Sequence, residues 1–244
     1  MLIDENLCTG CFECVPYCTV GAIKEDGGIA VVDLEECVEC DACRRAEVCP
    51  TDAFYQQPLE WPRILRSQFS NPTGEHPRTM IAGRGTEEIK TNDITNRVRP
   101  GYAGIAVEMG RPSVATRLSD VEKVAMALCE IGVELEPENP VTWLMPDPKT
   151  GKMQDDVLSE RALSAIIEFV VPESKVVEAL KTIKAAMAQV KTVGSVDLAV
   201  RYNPDGSIPI KKEVEEAGFE LSIGGKINVG LIPWLKTRNI GKGA

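Results

Sequence analysis

The chain has 244 residues, of which 43% are hydrophobic and 26% charged, a composition typical of a globular protein with one large or two modest domains. Its formal net charge of −10 excludes the usual nucleic-acid-binding protein, which needs a basic surface against the phosphates. No apolar run approaches the roughly 20 residues of a membrane-spanning helix, and acidic residues stand where a secretory signal would be basic. We therefore expect a cytoplasmic protein with neither a nucleic-acid nor a membrane partner.

Eight of the nine cysteines lie between residues 8 and 49, in two sets of similar spacing. The first set is Cys8, Cys11, Cys14 and Cys18, and the second is Cys37, Cys40, Cys43 and Cys49. Each of the first three cysteines recurs after 29 residues, and the fourth recurs after 31 because the second loop is two residues longer. The region is therefore an internal duplication, with one supersecondary unit in each copy.

This cysteine spacing is typical of an iron–sulfur site. Thiolates at this density favour iron–sulfur clusters or zinc over metals that prefer oxygen ligands. One tight loop with two residues between ligands supplies three of the four thiolates of a cluster, and in this loop pattern the distant fourth cysteine binds the other cluster. The sequence thus predicts two 4Fe–4S clusters. The first would be held by Cys8, Cys11, Cys14 and Cys49, and the second by Cys37, Cys40, Cys43 and Cys18.

Three other interpretations of the eight cysteines fit the pattern less well. Disulfide bridges are typical of chains with a secretory signal. An all-cysteine zinc site usually has two separated cysteine pairs, which leaves the third cysteine of each loop unexplained. Buried structural thiols would have no reason to repeat in register.

With these cysteines and Pro50, residues 1–54 resemble a bacterial-type ferredoxin with two 4Fe–4S clusters. The resemblance implies a small fold with pseudo-two-fold symmetry that accepts and donates single electrons. Two departures alter the loops without removing a ligand: Thr19 stands where the family usually has proline, and five residues separate Cys43 from Cys49. We expect a low reduction potential, because 12 acidic residues against 3 basic ones in this region disfavour the addition of an electron.

After this cysteine head, assigned to residues 1–55, the chain changes character at residues 56–100, which contain five prolines and no lasting helical or alternating pattern. The segment is predicted to be a linker that is functional, wrapped on a partner or mobile, because it exceeds the length of an ordinary loop. His76, the one histidine of the chain, is predicted to be solvated there. Four side chains could bind a partner's surface or pack against this protein's own domains: Trp61, Ile64, Leu65 and Phe69.

Residues 101–224 show a strand–helix–strand pattern twice. Two such units predict an α+β plait, the split βαβ fold, in which an antiparallel sheet carries two helices on one face. The predicted strands are residues 104–109, 133–136, 162–171 and 196–202, with 141–145 extending or following the second, and the predicted helices are 119–131 and 172–190. Ser119 and Glu122 are a capping-box signature at the start of the first helix.

Few residues of this second domain suggest chemistry. Glu108, Glu134 and Glu136 are predicted to form a solvent-facing row on strands, and Cys129 to be a buried thiol on the first helix. The acidic run at residues 213–216 indicates a solvated helix face, and the tail at 225–244 is either an arm that reaches a partner or a strand on this domain.

The sequence therefore predicts an electron-transfer iron–sulfur protein, the ferredoxin-like subunit of a catalytic oxidoreductase supplied by another chain. The alternative is a redox sensor in which the plait binds a metabolite and the clusters report the redox state. An enzyme in its own right is the weakest prediction, because no acid–base residues stand in a tight motif.

Overall fold

The computed structural model describes residues 1–78, 80, 97–111 and 114–222. Within these residues, helices and short strands alternate along the chain, which confirms the α+β class. The cysteine head contains β1 (Leu2–Ile3), β2 (Ile23–Asp26), β3 (Ile29–Val32), α1 (Ala42–Arg45) and β4 (Phe54–Tyr55), with a 3-10 helix at Val15–Tyr17.

Two small antiparallel sheets join the two copies of the cysteine repeat. β1 pairs with β4, with Ile3 opposite Phe54, and β2 pairs with β3, with Ile23 opposite Val32. The strands β1 and β2 belong to the first copy and β3 and β4 to the second, so each sheet takes one strand from each copy. In the repeat, Ile3 corresponds to Val32 and Phe54 corresponds to Ile23. The pair Ile3–Phe54 of one sheet therefore corresponds to the pair Val32–Ile23 of the other, so the two sheets have the same register.

A helix, α2 (Ile64–Ser70), lies in the segment that the sequence predicts to be a linker without lasting helical pattern. Leu65 and Phe69 are each 3% exposed and belong to the hydrophobic core of the C-terminal region, residues 97–222. The Ser70 hydroxyl accepts a hydrogen bond from the Leu163 N–H at 2.8 Å. The described part of this segment therefore packs against the protein itself.

The C-terminal region is built on a three-stranded antiparallel sheet in the order β8-β5-β9. Its elements are β5 (Tyr102–Met109), β6 (Thr116–Arg117), α3 (Leu118–Glu130), β7 (Arg161–Ala162), β8 (Ala165–Pro172), α4 (Val176–Met187), β9 (Gly194–Val200) and α5 (Lys211–Glu216). The predictions of strands at 104–109, 162–171 and 196–202 and of two helices are thus confirmed, with shifted ends. No helix of the described residues combines the length and apolarity needed to cross a membrane.

One face of this sheet carries the main hydrophobic core. Alternate residues of β5 point to the same side of the sheet, and this set is fully buried: Ala103, Ile105, Val107 and Met109. Helix α3 presents its apolar stripe to the same core because residues three and four apart share a helix face: Val121, Val124, Ala125 and Leu128. The sheet and α3 therefore bury complementary faces.

Two local predictions for this region are wrong. Residues 141–145 contain a 3-10 helix at Thr142–Leu144 instead of extended chain. Helix α3 has Arg117 as its N-cap, without a side-chain bond, so the capping box does not form. Glu122 instead accepts a hydrogen bond from the Met153 N–H at 2.8 Å. A carboxylate on the first turns of a helix can in this way provide the hydrogen-bond partner for a backbone N–H of a neighbouring loop.

The predicted strand at 133–136 is present only as an isolated bridge between Leu135 and Phe169 of β8. The Glu136 N–H also donates to the Glu168 carbonyl at 2.7 Å. A complete plait with four full strands therefore stays a prediction.

The second face of the sheet is covered at its centre, which makes the predicted solvent-facing acidic row wrong. Glu108 is 3% exposed and Glu136 is 4% exposed, whereas Glu134 is exposed. Glu108 pairs with Arg111, with 2.9 Å between Nε and Oε2, and Glu136 pairs with Arg97. A carboxylate can be buried in this way because an arginine neutralises its charge.

His76 is 7% exposed, so the prediction of a solvated histidine is also wrong. Its ring packs at a tilt of 40° against the Trp143 ring, with 5.2 Å between centroids, and Arg78 lies over the same indole at 3.8 Å. The acidic run at 213–216 is a solvated helix face as predicted, since α5 buries only Val214. The tail at residues 225–244 lies outside the described residues.

Candidate metal centre

The two cysteine loops have the left-handed backbone conformation at equivalent positions. Equivalent residues of the two copies have a positive φ: Gly10 (+69°) with Glu39 (+54°), Phe12 (+59°) with Asp41 (+62°), and Gly21 (+65°) with Asp52 (+50°). The first cysteine of each loop is held by the same bond, since the Cys8 N–H donates to the Asp4 carbonyl and the Cys37 N–H to the Asp33 carbonyl, both at 2.9 Å. The duplication of the sequence is therefore a duplication of loop geometry.

Strand pairing brings Cys49 to the first cysteine loop. β1 leads into this loop and β4 follows Cys49, and the two strands are paired. Four thiols consequently line one cavity, which apolar side chains such as Ile3, Phe12 and Phe54 complete: those of Cys8, Cys11, Cys14 and Cys49. Burial raises the pKa of the Cys14 thiol, and the neighbouring Cys11, Cys49 and Cys8 raise it further.

The second loop is completed in the same way by Cys18. β2 follows Cys18 and β3 leads into the second loop, and these strands are also paired. Burial, together with the nearby Cys40, Cys37 and Cys18, raises the pKa of the Cys43 thiol to about 12. Strand pairing thus places Cys18 near the second loop, as it places Cys49 near the first.

Backbone N–H groups point at three of the sulfurs. The Ala22 N–H donates to Cys18 Sγ at 3.1 Å and the equivalent Ala53 N–H donates to Cys49 Sγ at 3.3 Å, while the Ala30 N–H lies 3.4 Å from Cys8 Sγ. Burial alone would raise the pKa of Cys49, but hydrogen bonds from Ala53 and Thr51 outweigh it and lower the pKa. Such bonds stabilise the thiolate relative to the thiol, and the thiolate is the form that binds metal.

The arrangement of the thiols suits a thiolate-bound metal group. All nine cysteines are free thiols. The first four thiols surround a shared, mostly apolar cavity, an arrangement that can hold a thiolate-bound iron–sulfur cluster.

Helix α2 adds two arginines to the second loop, which the sequence interpretation missed. Arg63 donates to Glu39 Oε1 at 2.6 Å and to the Leu34 carbonyl at 3.0 Å, and Arg66 donates to the Cys37 carbonyl at 2.8 Å. The available signal was the three-residue spacing of the two arginines, which places them on one face of a helix. It was hidden because the proline-rich composition favoured a linker.

Several known proteins are similar to the N-terminal part of the chain. The chain is 44% identical over 63 residues to a ferredoxin-like protein in the vnf region of Azotobacter chroococcum mcd 1, an alignment that covers 25% of this chain and 95% of that protein. It is 38% identical over 56 residues to ferredoxin-1 of Rhodobacter capsulatus, covering 21% and 86% respectively. A ferredoxin-like protein in the nif region of Bradyrhizobium diazoefficiens is 41% identical over 54 residues, covering 20% and 73%.

No protein-family model matches the chain. These relatives match only its N-terminal quarter, which is also where the eight thiols lie. The N-terminal part is accordingly an iron–sulfur electron-transfer module, and through this part the chain belongs to the ferredoxins.

Proposed function

We propose that this chain holds two 4Fe–4S clusters and is the electron-transfer subunit of a catalytic oxidoreductase formed with another chain. The observation that carries the proposal is the crossed grouping of the thiols, with Cys49 beside the first loop and Cys18 beside the second. A 4Fe–4S cluster, when bound, supplies a site that takes up or gives up one electron. Cys8, Cys11, Cys14 and Cys49 would bind the first, and Cys37, Cys40, Cys43 and Cys18 the second.

The residues around the thiols support this function by shielding most of the sulfurs partly from water. Met1, Ile23, Ala30 and Phe54 form a small buried core against which most of the thiols pack. A dry surrounding and N–H···S hydrogen bonds are the means by which a protein sets the potential of such a site. The acidic residues of the head act in the direction of a low potential.

An external redox partner has access to the first loop, which supports the oxidoreductase proposal. Cys11 is exposed there. Leu7 and Tyr17 are 47% and 46% exposed, and apolar and aromatic side chains of this kind are favoured in protein interfaces. His76 is not part of this exposed surface, because it is buried and its ring packs against Trp143.

We also propose that the C-terminal region is a complete plait, with residues 133–136 as the edge strand beside β8. The bridge between Leu135 and Phe169 supports this placement. The sensor alternative requires an open sheet face, yet Ala106 and Glu168 at the centre of the second face are 0% and 1% exposed. No specific observation therefore favours the sensor, which stays a prediction from the sequence.

Metal analysis of protein purified without oxygen tests the cofactor. We expect about eight iron atoms and eight sulfide ions per chain, together with the electron paramagnetic resonance (EPR) signals of reduced 4Fe–4S clusters. Bound zinc, or disulfides in place of iron, would contradict the proposal. Purification from the native source tests the partner: a stoichiometric complex with a catalytic oxidoreductase is expected, and isolation only as a lone chain would contradict it.

A further inference from the structure

Arg66 is a buried arginine that contacts both the cysteine head and the C-terminal region. Its side chain is 3% exposed, and its Nε donates to Glu160 Oε2 at 2.5 Å. Its Nη1 donates to three backbone carbonyls at 2.9, 3.0 and 2.8 Å, those of Leu34, Glu35 and Cys37. One guanidinium thus fixes the segment that enters the second cysteine loop, and its counter-ion comes from the C-terminal region.

The first cysteine loop has no equivalent of this contact within the described residues. The carbonyls equivalent to those of Leu34, Glu35 and Cys37 belong to Glu5, Asn6 and Cys8, and no described arginine donates to them. Glu5 and Asn6 are exposed. The two loops have the same left-handed backbone positions. The buried ion pair of Arg66 and Glu160 therefore distinguishes the second thiol set from the first, and it did not arise from the duplication.

A buried charge beside an electron-accepting site shifts its reduction potential. Reduction adds a negative charge, so a nearby cation favours it and a nearby anion disfavours it. Both effects are larger in the protein interior than at an exposed surface, because the effective dielectric constant is lower. Arg66 and Glu160 have opposite charges and both are less than a tenth exposed, so removing either one leaves the other uncompensated.

On the basis of the proposed function, we propose that Arg66 and Glu160 are a positioning pair that tunes the reduction potential of the cluster bound by Cys37, Cys40, Cys43 and Cys18. Arg66 orients the loop through the Cys37 carbonyl, and Glu160 balances its charge. The C-terminal region thereby takes part in setting the potential of the second cluster, while the first cluster lies outside this contact.

The test is a redox titration of the full-length protein, purified without oxygen, in the wild type and the variants Arg66→Gln, Arg66→Lys and Glu160→Gln. EPR spectroscopy follows the reduction of the clusters, and the paramagnetically shifted NMR signals of the cysteine methylene protons assign each step to one thiol set. We expect Arg66→Gln to lower the potential of the second cluster and Glu160→Gln to raise it. Arg66→Lys keeps the charge and is expected to remain closer to the wild type than Arg66→Gln.

The opposite signs separate tuning from a merely structural role. Loosened packing would move both glutamine variants in the same direction, and that result would overturn the proposal, as would unchanged potentials. If one glutamine variant fails to bind iron, the direction of the potential shift in the other variant decides whether the proposal holds. Failure of both glutamine variants to bind iron would also overturn the proposal, because the pair would then be needed only for folding.

Arg45→Gln is the matched control. Arg45 is exposed and also donates to a ligand carbonyl, that of Cys40, at 3.3 Å. The same change of charge is there screened by water, so a smaller shift than that of Arg66→Gln is expected. The two proposals fail separately: a wild-type chain without iron refutes the proposed function, whereas intact clusters with an unmoved potential refute only the role of Arg66 and Glu160.

Discussion

Gly10 lies against the backbone of Gly28, so that a Cβ atom at Gly10 would stand 2.1 Å from the Gly28 carbonyl oxygen. This contact seats the first cysteine loop on the turn between β2 and β3. The equivalent position of the second copy is Glu39, which has a side chain and a φ of +54°. The positive φ by itself therefore does not demand glycine; the close approach of Gly28 does.

Gly10→Ala is expected to destabilise the first loop by more than the cost of placing an alanine in the left-handed conformation. Gly21→Ala is the control, because Gly21 has a φ of +65° and an added Cβ would meet no atom within 4 Å. The control should lose about 1–2 kcal/mol, the cost of the left-handed conformation, whereas Gly10→Ala must also move backbone. Loss of the visible absorption of the clusters in guanidinium measures the difference. Equal midpoints for the two variants would show that the Gly28 contact is unimportant.

Cys18→Ser is expected to abolish the second cluster and spare the first, and Cys49→Ser to do the reverse. Each variant should retain about four of the eight iron atoms. Cys129→Ser is the control, because Cys129 lies on α3, where its thiol donates to the Pro148 carbonyl, and it should keep all the iron. Iron analysis and EPR spectra measure the outcome. Loss of the first cluster in Cys18→Ser would refute the crossed ligand assignment.

His76 is expected to titrate below the usual pKa of about 6.5 for histidine. Burial lowers its pKa, and the charge of Arg78 lowers it further. The unfolded chain then binds a proton at a higher pH than the folded chain does. The stability that comes from neutral His76 is therefore fully present above the unfolded pKa and is lost as the pH falls through the folded pKa.

The measurement is direct because the chain has one histidine. A proton NMR titration of the imidazole gives its pKa, and thermal unfolding across the same pH range gives the stability. His76→Asn should flatten the dependence on pH in this range. A midpoint above 6.5 would mean that the imidazole is not buried against Trp143 near Arg78 as the structure has it.

Phe69→Ala is expected to cost about 3–5 kcal/mol in the free energy of unfolding, the usual loss for a buried phenylalanine. Phe69 is 3% exposed and packs in the core of the C-terminal region. Tyr202→Ala is the control, since Tyr202 is 50% exposed and its replacement should change stability by less than about 1 kcal/mol. Guanidinium unfolding measures both. A small effect at Phe69 would indicate that α2 behaves as a free linker.

The elements that the sequence predicts well are those with a local, repeated pattern. Alternation along β5 and the three- and four-residue spacing along α3 identify these elements within a few residues. Helix α2 has only seven residues and follows several prolines, so its pattern is too short to outweigh the composition. The spacing of Leu65 and Phe69, four residues apart, was the signal for it.

The errors at Glu136 and His76 share one cause. Each is a polar side chain whose burial depends on a partner from another part of the chain. Glu136 pairs with Arg97, and His76 packs against Trp143. A sequence pattern predicts exposure for such residues because burial of a charge or an imidazole without a partner is unfavourable.

The sequence by itself determined the number of thiols and their grouping into two loops, because the spacing of ligands within a loop is a local property of the chain. Only the tertiary structure decided what surrounds each loop. The pairing of β1 with β4 and of β2 with β3 places Cys49 and Cys18 beside the loops to which the cysteine pattern had assigned them. The packing of α2 brings Arg66 to the Cys37 carbonyl and to Glu160. The contacts of Arg66 join residues far apart in sequence, so they follow from the packing of the folded chain and not from any local pattern.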